Sequence, residues 1–338
     1  MRTCAVLLVF AACMSASARQ DDGALGVILT PHNARPAVVE PGQTFEAVLE
    51  TEAELVLRQG EIQLPLDVRW RSLPGGKARG WCALPAEIPQ GTYDLEATGG
   101  SVADRNLRAV YVLEAVPETY AVAHIADPCL GSNADAQLSQ EVFRELMAAA
   151  NSSGAALIVI TGDLVENPDH DRLKAFLEIL DTAAVPTYVC PGGAQEKLPL
   201  YEAYLGPLTF TFVFGLDAYL AFRADNSLVN SPAGAQDSLL EVCRRRIKPA
   251  RWSIGVSQRY RQAMPLRSQL VLFVDDPLDC LVAGERAEAG EEKKYGIPWG
   301  RTALIETPPA ADGVFRLIDV TSQGVEPRPP VLNAVPVE

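Results

Sequence analysis

The sequence predicts an α/β protein in which a small all-β domain precedes a larger domain of alternating strands and helices. The chain has 338 residues, more than one average domain, so two domains are expected. Short alternating apolar segments, separated by turn residues, continue to about residue 116. From Tyr120 the pattern becomes strand, loop, helix. We therefore predict domains at residues 24–116 and 120–322, followed by a Pro-rich tail at 323–338.

Alternation of apolar and polar residues predicts strands in the first domain. Residues 45–49 and 64–70 alternate, and turn clusters such as residues 74–76 separate the segments. Residues 89–95 are similar to the last strand of many immunoglobulin-like modules. This spacing of short strands predicts an immunoglobulin-like β-sandwich. Trp70 and Trp81 are expected to pack in its core or against the second domain.

The second domain is predicted to alternate helices with buried strands. Apolar residues at helical spacing within residues 138–149 predict one helix, and residues 173–180 predict another. Residues 155–160 are rich in β-branched residues, which predicts a buried strand. Further strands are predicted at residues 121–125, 187–190, 210–214, 219–222, 254–257, 270–274, 280–283, 303–306 and 315–320.

The charge balance argues against a nucleic-acid partner. The chain has 43 acidic residues and 29 Lys and Arg residues, a net charge of −14. Binding to phosphate backbones needs clustered basic residues instead. One dense basic run, Arg244 to Arg246 with Lys248 and Arg251, falls in a predicted helix and is interpreted as a solvated face.

The N-terminus has the pattern of an export signal. Arg2 provides a positive charge, an apolar run follows, and Ala16 and Ala18 match a small-x-small cleavage site. We predict a signal peptide at residues 1–18 and an exported mature protein, periplasmic, extracellular or envelope-associated. An alternative is a lipid anchor at Cys13, because residues 10–13 loosely match a lipoprotein box.

Cysteine counting agrees only in part with export. Two of the seven cysteines fall in the signal, which leaves Cys82, Cys129, Cys190, Cys243 and Cys280. Five is an odd number, so at least one thiol lacks a partner within the chain. The pairing of the others stays open, and most are expected to be small core residues.

Several polar or glycine-containing blocks follow predicted strands, which is where open α/β sheets place their sites. Asp127 follows the first strand of the second domain, and Gly162 and Asp163 follow the next. The blocks occupy residues 124–129, 159–164, 189–195, 254–258 and 281–287, with residues 273–277 a rival placement for the fourth. In order and spacing they resemble the metal-binding blocks of the calcineurin-like metallophosphoesterase family. The resemblance covers about residues 120–320 and implies a four-layer αββα sandwich.

The resemblance also implies a two-metal centre that binds phosphate oxygens and activates water. Asp127 and Asp163 stand where the family has its two metal aspartates. Other ligand positions differ: this chain has Cys129, Gln258, Glu285 and Ala287 where the family has histidine, and Gly193 where it has asparagine. Ala194 stands where the family has its catalytic histidine.

Histidine counting gives the same result without an alignment. The chain has three histidines, fewer than the family's site uses. His32 falls in the first domain, and His124 lies on a predicted strand, where a core role is expected. His170 falls in a helix-start loop. No placement of the blocks rebuilds the family's site from these residues.

These differences imply a degenerate, inactive family member with no catalytic residue. Asp127 and Asp163 are interpreted as vestigial metal ligands, and Cys129, Glu285 and Gln258 are further candidate ligands. Both aspartates have an alternative interpretation as turn residues that accept backbone N–H groups. No cofactor is expected, and at most one divalent metal, weakly bound.

The sequence leaves three functions open, and with them whether the chain is an enzyme. The first is an exported, non-catalytic binding or scaffold protein. The second is a phosphoester hydrolase with a reduced, one-metal site. The third is an envelope-anchored module whose β-sandwich binds a cell-envelope or protein partner. No serine-hydrolase, P-loop, zinc-protease or dinucleotide-binding motif occurs.

Overall fold

The computed structural model describes residues 23–100, 102–131, 136–192, 198–223, 235–260, 266–284 and 301–332. These residues form a mixed α/β protein with four sheets, which confirms the predicted class. The predicted signal peptide, with Cys13, lies outside the described residues, as do Gly193, Ala194, Glu285 and Ala287. Within the described part, no helix is both long and apolar enough to cross a bilayer.

Residues 28–112 form nine strands in two sheets. The strands are β1 (Ile28–Thr30), β2 (Ala37–Val39), β3 (Thr44–Leu49), β4 (Glu54–Gln59), β5 (Ile62–Pro65), β6 (Asp67–Ser72), β7 (Ala78–Ala83), β8 (Gly91–Gly99) and β9 (Val102–Val112). The first sheet has the order β1-β3-β7-β6 and the second β2-β9-β8-β4-β5. In β3, Phe45, Ala47 and Leu49 are buried while the residues between them are half-buried, the period-two pattern of a strand with one core face. The buried faces of the two sheets share one apolar core.

The rest of the chain alternates strands with helices. The elements are β10 (Tyr120–Ala126), α1 (Ala136–Ser152), β11 (Leu157–Gly162), α2 (His170–Leu180), β12 (Thr187–Pro191), α3 (Leu198–Leu205), β13 (Phe210–Phe214), β14 (Asp217–Ala221), α4 (Ala235–Ile247), β15 (Ser253–Ser257), α5 (Leu266–Phe273), β16 (Cys280–Gly284), β17 (Ala303–Thr307), β18 (Val314–Val320), β19 (Val325–Pro327) and β20 (Val331–Leu332). The third sheet has the order β12-β11-β10-β18-β19, with β20 also paired to β18, and the fourth has the order β13-β14-β15-β16-β17. Neighbouring strands are parallel from β10 to β12 and from β14 to β17.

The third and fourth sheets pack face to face. Val122 and Tyr188 of the third sheet share an apolar cluster with Phe212 and Val256 of the fourth. The rings of Tyr188 and Phe212 stack with centroids 3.6 Å apart. Helices α1, α2 and α3 cover the other face of the third sheet, and α4 and α5 cover that of the fourth. The part of the chain from β10 onward therefore forms four layers: helices, the third sheet, the fourth sheet and helices.

One predicted strand is wrong. Residues 270–274 were expected to be extended, but most of them belong to helix α5. Gln269, Leu272 and Phe273 are buried at helical spacing, whereas Leu270 is 37% exposed. A short apolar run does not distinguish a buried strand from a buried helix, which explains the error. The rival block at residues 273–277 consequently follows a helix rather than a strand.

The basic run in α4 is not a uniformly solvated face. Arg245 is exposed, but Arg244 is only 3% exposed. The Arg244 guanidinium donates to the backbone carbonyls of Asp276, at 2.6 and 2.9 Å, and of Pro277, at 3.1 Å. The prediction for Arg244 was therefore wrong, because the end of α4 packs against a loop whose carbonyls need donors.

The segment before β2 joins the two parts of the chain. The Leu25 amide donates to the Ala203 carbonyl at 2.8 Å, and the Val189 amide donates to the Ala34 carbonyl at 3.0 Å. Ala34 is itself buried in the cluster beneath helices α1 to α3. These contacts hold residues 23–36 against α3 and β12.

Candidate functional site

The predicted blocks after β10, β11, β12, β15 and β16 meet at one edge of the two sheets. The Asp127 amide, just beyond β10, donates to the Thr161 carbonyl of β11 at 2.8 Å. The Gly192 amide, just beyond β12, donates to the Gly162 carbonyl at 2.7 Å. From the fourth sheet, Gln258 follows β15 and contacts Asp127. We call Asp127, Asp163 and Gln258, with the glycines beside them, the strand-end centre.

Three glycines make room for the side chains of this centre. A Cβ at Gly162, where φ is +101°, would lie 1.9 Å from Asp127 Oδ1. A Cβ at Gly192 would lie 2.1 Å from Gln258 Oε1, and one at Gly284 would lie 3.1 Å from Asp127 Oδ2. Glycine is needed here because any larger residue would occupy the space of the two polar side chains. The glycines named in the sequence blocks therefore have a steric role in the centre.

The Asp127 carboxylate is held by donors of the protein itself. Its Oδ1 accepts the Asp163 amide at 3.0 Å and the Gln258 side-chain amide at 3.4 Å. Burial raises the pKa of Asp127, and the negative charge of Asp163 raises it further. The two hydrogen bonds and the positive charge of Arg259 act in the opposite direction. Asp127 thus accepts a backbone N–H group, as the alternative interpretation expects, but the donor lies at the end of the neighbouring strand rather than in a turn of its own, and a second donor comes from the other sheet.

Asp163 differs from Asp127 in its hydrogen bonding. Its Oδ1 is buried and accepts no hydrogen bond within the part of the chain that the structure describes. Asp163 and Cys129 lie near Tyr201: burial raises the pKa of Tyr201, and electrostatic interaction with Asp163 and with Cys129 raises it further. A buried carboxylate oxygen without a donor is costly, so Asp163 Oδ1 is the acceptor at this centre that a further donor or a cation would satisfy.

The loop that carries Asp127 and Cys129 has an uncommon backbone conformation. Both residues have φ values of 44°, in the left-handed region that non-glycine residues seldom adopt. The Cys129 amide donates to the Asp163 carbonyl at 2.8 Å, which fixes the loop on the neighbouring strand end. Such conformations cluster at functional sites, so the loop supports the choice of this edge as the candidate site.

The described donors do not fit a two-metal centre. Within the described ranges no group of three or more His, Cys, Asp and Glu residues is placed to hold a metal ion. Gln258 directs an N–H group at Asp127, where a bound cation would need that oxygen. Two divalent cations need more carboxylate or imidazole donors than Asp127, Asp163 and Cys129 provide.

The histidines have other roles. His124 is fully buried on β10, with its ring nitrogens 2.7 Å from Thr307 Oγ1 and 2.8 Å from Thr161 Oγ1. Burial lowers the pKa of His124 to about 3, so its ring is neutral. The prediction of a core histidine is confirmed. His170, at the start of α2, lies 2.7 Å from the Tyr204 hydroxyl.

All five cysteines of the described residues are thiols rather than disulfides. Cys82, Cys190, Cys243 and Cys280 are buried, as expected for small core residues. Burial raises the pKa of Cys190 to about 12, which keeps it protonated. Cys129 differs from these four in that its backbone amide contacts Asp163 of the strand-end centre.

Sequence reasoning missed two neighbours of the centre. Arg259 follows Gln258 directly, and its position after a strand was the available signal. Tyr201 comes from helix α3, which lies between two blocks, and no sequence pattern places it beside Asp163.

Comparison with known proteins gives matches to solved structures alone. No protein-family model and no curated protein matches the chain. A purple acid phosphatase from yellow lupin (Lupinus luteus) seeds has a TM-score of 0.47 and 10% identity, covering 82% of this chain and 67% of its own. A dimetal phosphatase from Danio rerio has a TM-score of 0.44 and 12% identity, covering 64% of this chain and 99% of its own. A titin M10–obscurin-like 1 Ig complex matches 23% of this chain and 85% of its own, with 23% identity and a TM-score of 0.16. We transfer no residue role from these structures.

Proposed function

We propose that this chain is an exported, non-catalytic binding or scaffold protein on a metallophosphoesterase-like fold. The main support is the position of the Gln258 side chain, which fills the space beside Gly192 and donates a hydrogen bond to Asp127. A neutral amide replaces the imidazole that the family resemblance calls for at this strand end. The carboxylate that would bind a cation is thus satisfied from within the protein.

The centre in this proposal retains weak metal affinity at most. In this proposal the remaining candidate ligands are Asp163, whose Oδ1 accepts no hydrogen bond among the described residues, and Cys129. Such a set could hold one divalent cation loosely, and Glu285 is a further candidate ligand. In this proposal the centre also lacks a proton donor for the leaving group, because Ala194 stands at the family's acid position.

Export is part of the proposal and rests on residues 1–18. Cleavage after Ala18 would leave a mature chain that starts at Arg19. N-terminal sequencing of the mature protein tests this directly. A start at Cys13 would mean a lipid anchor, and an intact Met1 would contradict export.

An accessible sheet edge gives the proposed binding function a surface. Strand β5 is the last strand of the second sheet, and three of its four residues are exposed. An unpaired strand edge can accept an extended segment of another protein. We therefore place the proposed protein or cell-envelope partner at the β-sandwich.

Metal content and hydrolysis together test the non-catalytic proposal. We expect less than one equivalent of tightly bound metal in the purified mature protein, and no turnover of bis(4-nitrophenyl) phosphate with added manganese. The single change Gln258→His should not create activity, because the other ligands and the acid are still missing. Two equivalents of metal would contradict the proposal. Turnover that is lost in Asp163→Ala but kept in Asp319→Ala would also contradict it. Asp319 is the control because it pairs with Arg328, away from the centre.

A second candidate is a phosphoester hydrolase with one metal. The observation in its favour is the buried Asp163 Oδ1, which accepts no hydrogen bond among the described residues. Calorimetric titration with manganese separates the two candidates. A single site with micromolar affinity, removed by Asp163→Asn and kept in Asp319→Asn, would favour the hydrolase.

A further inference from the structure

We propose that a cavity at the junction of the two parts of the chain binds a small amphipathic organic anion, with the anionic group at Arg35 and an apolar body against the neighbouring aromatic and aliphatic side chains. This cavity, which we call the junction cavity, has a volume of about 1110 Å³. Sites for small molecules typically occupy about 300–1,000 Å³. The cavity is therefore large enough for a ligand of that class.

Several separate segments wall the junction cavity, and besides the four described next the lining includes Leu73, Lys77, Arg79 and Tyr188. Residues 24–39 line one side, and the outward face of β3 lines a second. Parts of α3 and β13 form the third, and the end of α4 forms the fourth. The hydrogen bonds of Leu25 and Ala34 to the second part of the chain hold the first wall in place. The cavity is thus pre-formed by packed elements, as ligand sites usually are.

Arg35 presents a cation to this cavity, and the negative charge of Glu46 partly offsets the effect of burial on the Arg35 pKa. Its guanidinium lies 3.9 Å from the centroid of the Phe210 ring. Its hydrogen bond to the Pro207 carbonyl is long, at 3.5 Å, and it forms no ion pair with the described carboxylates. Burial lowers the pKa of Arg35 to about 10, so it stays charged at neutral pH. Stacking on Phe210 fixes the plane of the guanidinium and leaves N–H groups for a carboxylate.

The other cations around the cavity are already paired. Glu46 contacts both Arg79, at 3.4 Å, and Arg246, at 3.6 Å, while Lys77 contacts Glu50 at 3.3 Å. The lining has one more cation than anions: the cations are Arg35, Lys77, Arg79 and Arg246, and the anions are Glu46, Glu50 and Glu202. The whole chain carries a net charge of −14, so this local excess is contrary to the rest of the protein. It favours an anionic ligand and disfavours a cationic one.

The apolar part of the lining suits the body of such a ligand. Tyr188 and Phe212 contribute aromatic surface, and Val48 points outward from β3. Two exposed valines, Val213 at 59% and Val242 at 54%, also line the cavity. These two side chains extend the apolar surface that borders the cavity.

The inference is independent of the proposed function, because the cavity and the strand-end centre share no residue. Asp127, Asp163 and Gln258 are absent from the lining. Metal content and phosphoesterase activity therefore do not affect the test.

The test uses the mature full-length chain, 1-anilinonaphthalene-8-sulfonate as a fluorescent probe, and three competitors with the same ten-carbon body. We expect the probe to bind, and decanoate to displace it at least tenfold more effectively than decanol or decylammonium. Arg35→Met should weaken decanoate at least tenfold and leave decanol unchanged. Val48→Trp, which places an indole in the cavity, should weaken probe and decanoate together.

Arg69→Met is the matched control, because Arg69 also lies over an aromatic ring, Trp81, but outside the cavity. It should leave all affinities unchanged, and thermal unfolding confirms that each variant is folded. Equal displacement by decanoate and decylammonium would overturn the proposal. Probe binding that survives Val48→Trp, or that falls as much in Arg69→Met as in Arg35→Met, would overturn it as well. If Arg35→Met does not fold, Val48→Trp and the three competitors still test whether the cavity binds an amphipathic anion.

Discussion

The strand-end centre and the junction cavity differ in how their charged groups are satisfied. At the centre, the Asp127 carboxylate accepts two hydrogen bonds from the protein, and glycines close the space around it. At the cavity, the Arg35 cation rests on an aromatic ring and faces open space. Internal satisfaction of a buried charge contributes to stability, whereas an unpaired charge at a cavity is available for a ligand. The resemblance in sequence drew attention to the first region, whereas we propose ligand binding at the second.

Lowering the pH should reduce the free energy of unfolding more than any single substitution at the centre. The pKa of His124 is about 3 in the folded protein and about 6.5 when unfolded, so the unfolded state gains the proton first as the pH falls. The contribution of the neutral His124 ring to the free energy of unfolding is therefore complete above about pH 6.5. It is lost progressively towards pH 3, by up to about 5 kcal/mol. The charge facing His124 is that of Arg316, opposite it on β18, which also disfavours protonation.

Urea unfolding between pH 4 and pH 8 measures this effect. His124→Gln should flatten the slope below pH 6.5, while His170→Gln, at the start of α2, should keep it. Equal slopes in both variants would show that His124 does not carry the acid sensitivity.

Gly162→Ala should produce the largest loss among the substitutions at the centre. It adds a Cβ 1.9 Å from Asp127 Oδ1 at a φ of +101°, so both the steric and the backbone terms are unfavourable. We expect a loss of about 3 kcal/mol in the free energy of unfolding. Gly154→Ala is the matched control, with a φ of +77° and no atom within 4 Å, and should cost about 1 kcal/mol. Similar losses in the two variants would mean that the centre is not closely packed.

Much of the centre could be predicted from the sequence, because its residues follow strands at fixed positions. Parallel strands end at the same edge, so Asp127, Asp163 and Gln258 were expected near each other. Their hydrogen bonding was not predictable. Whether Gln258 donates or accepts, and whether Asp163 Oδ1 finds a donor, depends on side-chain directions that no spacing encodes.

The junction cavity could not be predicted, because it has no local pattern. Its lining combines residues 24–39, one strand face, α3, β13 and α4, which are far apart in the chain. No sequence pattern marks Arg35 as a cavity residue, because its position depends on the packing of residues 23–36 against α3 and β12. The error at Arg244 has the same origin: its burial depends on carbonyl groups 32 and 33 residues away.

Gln258→Ala should produce a smaller loss than Gly162→Ala. It removes a long hydrogen bond, 3.4 Å, and opens space beside Gly192. We expect about 1 kcal/mol in the free energy of unfolding. In a double-mutant cycle with Asp127→Asn, coupling should be measurable, because both residues share the contact. Strictly additive losses would indicate that the amide does not support the carboxylate. Gln323→Ala, on an exposed turn, serves as the surface control and should cost nothing measurable.

The smallest effect on stability is expected at Arg35, and it separates the two regions most sharply. Arg35→Met removes a cation over Phe210 and a long hydrogen bond, while methionine still covers the ring. The free energy of unfolding without ligand should change by less than about 1 kcal/mol, the size of a partly exposed cation–π contact. Decanoate should raise the melting temperature of the original chain and of Gln258→Ala equally, because a ligand that binds the folded state stabilises it by an amount that grows with the logarithm of its concentration divided by its dissociation constant. The same decanoate concentration should leave Arg35→Met nearly unchanged. A large loss of stability in Arg35→Met without ligand, with the decanoate shift retained, would assign Arg35 to the support of the fold rather than to binding.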